Sequence, residues 1–183
     1  MTSKQSHQAH NMCEPMALRV RIEPMKDTDW PDVRAIYEQG LATGVGSFEL
    51  TAPSWEQWNS ARLPHSRWIA RTARVVGWAA LSPVSARACY AGVAEVGIYV
   101  ADSARGQGVG RALLEALIVS SETNGIWTLQ GVTIAENAAS LALQAACGFR
   151  TVGRRERIAQ RLGVWHDTIL TERRSSRVGS QSG

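Results

Sequence analysis

The stretch from Glu95 to Leu114 constrains this chain more than any other. Ile98 and Val100 carry branched side chains that suit a pleated strand. Gly106, Gly108 and Gly110 follow at a spacing of two, which permits a sharp turn and a close approach of backbone to a ligand. Val109, Leu113, Leu114, Leu117 and Ile118 then recur at helical spacing. A strand therefore turns through a glycine-rich elbow into a helix. The first N–H groups of that helix have no partner within it and stand at its positive dipole end, so the elbow suits phosphate.

The flanking pattern gives the elbow its setting. Leu18, Val20 and Ile22 alternate with polar residues and predict a first strand over Leu18 to Glu23. Asp27 or Thr28 caps a helix whose buried face is Val33, Ile36, Tyr37 and Leu41, and which stops near Thr43-Gly44. Gly46-Ser47-Phe48-Glu49 is then a loop, and Ser54 opens a short helix with Trp55 and Trp58. Arg67 to Ala70 and Val75 to Leu81 read as strands, with Pro83 barring continuation as a central strand. Ser82 to Gly92 is a loop. Beyond the elbow helix, which ends near Asn124-Gly125, Leu129 to Ile134 is a strand. Asn137 caps a helix that Cys147-Gly148-Phe149 closes. Thr151 to Ala159 and Thr168 to Glu172 are the last strands. Short turns between early strands imply antiparallel pairing, and the strand–helix–strand unit after Glu95 implies a parallel neighbour. The sheet is mixed.

At 183 residues, one domain is expected over residues 17–173, with disordered tails over 1–16 and 174–183; Met16 is an alternative start. Cys13, Cys89 and Cys147 have no metal-ligand spacing, so no metal is expected, and an odd, scattered set fits a reducing compartment. The polar first 17 residues lack the apolar core of a signal peptide, and no apolar run is long enough to span a membrane. A cytoplasmic protein without a membrane partner is expected. The net charge of +4 is modest and the late arginines are interrupted by apolar and acidic residues, which argues against nucleic acid.

Two nucleotide folds fit the elbow poorly. A dinucleotide fold places its glycine turn after the first strand, whereas four strands precede this one. A phosphate loop needs Gly-Lys-Ser/Thr, and here stands Gly110-Arg111-Ala112. Arg105-Gly106-Gln107-Gly108-Val109-Gly110 instead resembles the Gln/Arg-x-x-Gly-x-Gly/Ala signature of the GNAT superfamily of N-acetyltransferases, and Asn137 through Phe149 resembles its next motif. Gly46-Ser47-Phe48, Pro83-x-x-x-Arg87-x-x-Tyr90, Glu95 before Tyr99-Val100, and Gly163-x-Trp165-His166-Asp167-Thr168 are similar to the phosphinothricin and methionine sulfoximine acetyltransferase branch.

The resemblance implies an α/β (α+β) fold with a mixed central sheet of about seven strands flanked by about four helices. It implies acetyl-CoA as co-substrate, with its pyrophosphate on Arg105, Gly106, Gln107, Gly108, Val109 and Gly110. The pantetheine arm would lie along Ile98, Tyr99 and Val100, with Asn137 reaching the pantetheine or ribose region. Glu95 stands where the branch carries its catalytic carboxylate, and an N–H beside Val100 would meet the thioester oxygen. Phe48, Arg87, Tyr90 and Glu95 would bind a small amino-acid-like amine, with Arg87 pairing its acid group. His166 reads as a structural hydrogen-bonding residue. One departure is Gln144, where the branch has His; glutamine is no general acid, so the thiolate's proton donor stays open, with Tyr99 a candidate. Related proteins pair as homodimers. Acetylation of another amine, such as a polyamine or peptide, and a weakly catalytic acyl-CoA-binding module are the alternatives.

Overall fold

The computed structural model describes residues 20–179. The predicted tail over residues 1–16, and Leu18 of the first strand, lie outside them. The chain runs β1 (Arg21–Pro24), α1 (Trp30–Ala42), α2 (Trp55–Ser60), β2 (Trp68–Arg71), β3 (Val75–Pro83), β4 (Val93–Val100), α3 (Val109–Thr123), β5 (Thr128–Ile134), α4 (Ala138–Ala146), β6 (Arg150–Arg161) and β7 (Val164–Arg174). The strands form one mixed sheet in the order β1-β2-β3-β4-β5-β7-β6. The β4–β5 pair is parallel, as the connecting helix requires, and the other neighbours are antiparallel. The expected fold class therefore holds.

The sheet is covered on both faces. On one, α3 buries Val109, Leu113, Leu114 and Leu117 against Leu81, Leu129 and Phe149. Burying each leucine contributes about 2 kcal/mol. On the other, α1 and α2 pack Val33, Ile36, Tyr37, Leu41 and Trp58 against Ile69 and Trp78. Rings join this layer: Trp58 meets Trp78 edge-on at 5.6 Å between centroids, and Trp78 stacks on Tyr99 at 4.8 Å. Residue spacing alone predicts both buried helix faces because a helix returns the same side every three to four residues.

Several boundaries differ from the sequence reading, each for a local reason. A 3-10 turn at Asp27–Asp29 precedes α1, and the Asp29 carboxylate accepts from the Lys26 N–H at 2.9 Å rather than capping the helix. β3 continues through Pro83, which pairs with Ala94. Pairing with β2 ends at Ala79, so the proline's missing N–H breaks no ladder on that side. The last two strands are much longer than predicted and form a hairpin turning at Leu162-Gly163. Their exposed arginines hide the period-two pattern, and a register irregularity between Arg155 and Ala159 breaks it further. The predicted tail from 174 begins inside β7, and Ser175 donates its N–H to the Trp127 carbonyl at 2.8 Å.

Candidate active site

β4 forks away from β5. The two are paired only at Val93–Thr128, Ala94–Leu129 and Glu95–Gln130. Beyond Glu95, β4 stays paired with β3 while β5 follows β7. The helix after β5 occupies the widening gap: Leu143 lies against Gly110, where an added Cβ would stand 3.2 Å from its Cδ2, and Gln144 lies over Gly131. A cavity of about 960 Å³ opens at the fork, lined by the free edge of β4, the elbow, the start of α4 and the loop after α1.

The elbow forms as its glycines predict. Gly106 and Gly108 adopt φ of +72° and +80°, a region that costs other residues about 1–2 kcal/mol. Gly108 caps α3 without a side-chain acceptor, so the first N–H groups of the helix remain available to a ligand. Added Cβ atoms at Gly106 and Gly108 would meet no protein atom within 4 Å, which leaves the elbow open to an incoming group. Arg105 and Gly110 line the cavity; Val109 also borders it while burying its side chain in the core. Gln107 turns away, donating to the Ser103 carbonyl at 2.9 Å, and is not among the lining residues.

Side chains alternate along β4. Val96, Ile98 and Val100 pack toward α3, whereas Tyr99 joins the α1–α2 layer. Glu95, Gly97 and Tyr99 share that second face by the period of two. Glu95 lines the cavity at the fork and accepts a hydrogen bond from Gln130 Nε2 at 3.0 Å. Tyr99 donates its hydroxyl to the Gly46 carbonyl at 3.0 Å. Burial, reinforced by the adjacent Tyr37, pushes its pKa well above the usual phenol value. Its proton is thus tightly held and already committed to the loop.

Asn137 is committed as well. Its Oδ1 accepts from the Ser140 N–H at 3.1 Å, the predicted cap, and its Nδ2 donates to the Val45 carbonyl at 3.1 Å. The side chain clamps the loop after α1 to α4. Gln144 is almost fully buried, donating to Thr133 Oγ1 at 3.0 Å and accepting from Thr171 Oγ1 at 2.5 Å. It is an internal tie between α4, β5 and β7.

Of the expected acceptor residues, Phe48 and Glu95 line the cavity; Phe48 also approaches the His166 ring edge-on at 6.1 Å. Arg87 and Tyr90 do not. Both are exposed around a 3-10 turn, the Arg87 guanidinium resting over the Tyr90 ring at 5.7 Å. The turn at Ala88–Tyr90 carries Arg87 and Tyr90 to the surface, outside the cavity that Phe48 and Glu95 line. Arg62 and Ser82, which the sequence reading passed over, do line the cavity. Neither belongs to a motif, and no spacing signals them.

The forked parallel pair, the anion-ready elbow and the carboxylate at the branch point meet in one cavity. The acetyltransferase (GNAT) family model matches residues 30–149, and the chain belongs to that family. It is 35% identical over 166 residues to a phosphinothricin N-acetyltransferase of Alcaligenes faecalis, spanning 86% of this chain and 82% of the relative. It is 27% identical over 151 residues to an L-methionine sulfoximine/L-methionine sulfone acetyltransferase of Pseudomonas paraeruginosa, spanning 79% and 88%. Among solved structures, a GNAT superfamily phosphinothricin acetyltransferase from Sinorhizobium meliloti in complex with AcCoA superposes with a TM-score of 0.80 at 24% identity, over 89% of this chain and 92% of that one. The chain is an N-acetyltransferase.

Proposed function

We propose that this enzyme uses acetyl-CoA to acetylate the primary amine of a small amino-acid-like acceptor of the phosphinothricin, methionine sulfoximine or arsinothricin type. The observation that carries the reading is Glu95, held at the branch point beside the free edge of β4 and in the same cavity as the elbow. The open cradle at Gly106 and Gly108, with uncapped helix N–H groups behind it, fits the pyrophosphate of acetyl-CoA. When bound there, acetyl-CoA supplies an activated acyl carbon.

The chain's own groups do the rest. The Glu95 carboxylate takes the ammonium proton of the acceptor, directly or through water, which frees the nitrogen lone pair. An N–H beside Val100 on the free edge receives the developing negative charge of the thioester oxygen; such a donor contributes about 2.7–4 kcal/mol. Gln144 has no acidic proton and the Tyr99 hydroxyl is donated to the Gly46 carbonyl, so solvent would supply the proton for the departing thiolate.

Detoxification of, or resistance to, such amino-acid analogues in the cytoplasm is the physiological role we attach to this chemistry, on the strength of the two named relatives. A homodimer is supported by Leu162, Val164 and Trp165, large apolar residues exposed around the β6–β7 turn. The deciding experiment follows free thiol on adding acceptors to enzyme and acetyl-CoA. Release with the phosphinate, sulfoximine or arsenical amino acids is expected. Release only with a polyamine or peptide would move the acceptor class. Cofactor binding with no release from any amine would make the chain an acyl-CoA-binding module.

A further inference from the structure

We infer that Arg62 holds the acid group of the acceptor above the open floor at Gly97, and so sets the enzyme's preference for anionic amines. The inference rests on the acceptor reading given above and assigns to it a residue outside every recognised motif.

Three arginines line the cavity: Arg105 and Arg111 at the elbow, and Arg62 beside the sheet face that carries Glu95. Arg62 follows α2, and its guanidinium is anchored on two sides. Nη1 donates to Ser82 Oγ, and the group lies over the Trp58 ring at 5.8 Å from its centroid. Nη2 points toward Gly97, standing 3.9 Å from where a Cβ on that residue would be. Its Nε is buried with no hydrogen-bond partner, and among the described residues no carboxylate lies within ion-pair distance of this arginine. A fixed, unpaired guanidinium lining a cavity presents the geometry that pairs with carboxylate or phosphinate.

Its position relative to Glu95 is set by the sheet. Ser82 pairs directly with Glu95 across β3 and β4, and Ala80 with Gly97, so these residues share one face. Directly opposed residues hold their Cβ atoms about 4.5–5.5 Å apart. The cation anchored on Ser82 and the carboxylate of Glu95 thus border the same chamber, yet Glu95 bonds Gln130 instead of Arg62. Two opposite charges that face one cavity without pairing leave room for a molecule carrying both complements. An amino acid is such a molecule, its ammonium toward Glu95 and its acid group toward Arg62. Gly97 keeps the floor between them free of bulk.

Steady-state kinetics test this, with phosphinothricin and methionine sulfone each set against the corresponding amine whose carboxylate is converted to a methyl amide. The wild-type enzyme should show a KM about 30-fold or more lower for the acid than for its amide, the size of one lost charge-assisted pair. Arg62→Gln should raise KM for the acid by that factor, leave KM for the amide and for acetyl-CoA unchanged, and so abolish the discrimination. Arg62→Lys, which keeps the charge and the stem packing, should fall between. Equal KM for acid and amide in the wild type overturns the inference even if Arg62→Gln does not fold. So does an Arg62→Gln enzyme that keeps its discrimination. In both cases continued thiol release from the acids leaves the acceptor reading standing. Absence of thiol release from every acidic acceptor would bring down that reading and this inference with it.

Discussion

Along its β3 side, β4 is paired at seven successive positions, from Gly77 opposite Val100 to Pro83 opposite Ala94; along its β5 side it is paired at three. Both sides are the same eight residues, Val93–Val100, with the same branched and aromatic content. The difference lies in the neighbours. β3 continues straight, whereas β5 is drawn away by seven pairs to β7 and by α4, whose Leu143 and Gln144 fill the fork. One edge therefore spends its hydrogen-bonding groups on the sheet, and the other, apart from the Val100 carbonyl that accepts from Arg105 Nε at 3.3 Å, leaves them unpaired by a strand. Backbone groups left unpaired at a buried edge are costly unless something satisfies them, which is why such a fork marks a binding site.

Changing the groups on the free side without touching the paired side should separate catalysis from folding. Glu95→Gln carries the largest effect. Turnover should fall by about 10²–10⁴-fold with acetyl-CoA affinity and melting temperature nearly unchanged. Turnover within a few-fold of wild type would remove Glu95 as the base. Gln144→Ala acts on the wedge that keeps the fork open. It removes the donor to the Thr133 hydroxyl, leaves Thr171 only its longer bond to the Gly131 carbonyl and opens a cavity, so chemical denaturation should report a loss of about 2–4 kcal/mol. Turnover per folded molecule should hold, because the side chain is an internal tie; a selective loss of turnover would restore it as a catalytic group.

Smaller effects sharpen the contrast. Gly108→Ala forces a Cβ into the elbow at φ +80° and should cost about 1–2 kcal/mol in the unliganded protein. Its KM for acetyl-CoA should rise about tenfold, and isothermal titration with CoA would read the change directly. Tyr99→Phe removes one bond to the Gly46 carbonyl and should cost about 1 kcal/mol. Its alkaline behaviour is diagnostic. The folded pKa is raised above the unfolded one, so the stabilising contribution is complete below about pH 10 and is lost as pH rises through the folded value. Melting curves of the phenylalanine variant should therefore decline less above pH 10 than those of the wild type. A hundredfold fall in turnover for this variant would instead make Tyr99 the acid that protonates the thiolate.

Element order and most of the helix faces were legible in the sequence because they depend on local spacing. Leu113, Leu114 and Leu117 announce a buried helix side wherever they occur, and the αL glycines announce the elbow. The β6–β7 hairpin was underestimated because Arg154, Arg155 and Arg157 are tolerated on exposed strand faces and mask alternation. Asn137 was read as a cap that reaches for cofactor. The cap is present, but its amide is taken up by Val45, a partner 92 positions away. The acceptor side was the least legible. Arg87 lies in a branch-like motif yet reaches the surface, while Arg62 lies in none and reaches the chamber.

By itself, the sequence determined a strand, a glycine elbow and a helix with free N–H groups, since backbone dihedrals and side-chain period are set by near neighbours. Only the tertiary structure decided that β5 parts from β4 after Glu95, that Gln144 is tied to Thr133 and Thr171, and that an arginine anchored on Trp58 and Ser82 faces the chamber that Glu95 borders. Those outcomes depend on which distant surfaces exclude water together and on which polar groups find partners as they do so, and no local spacing encodes either.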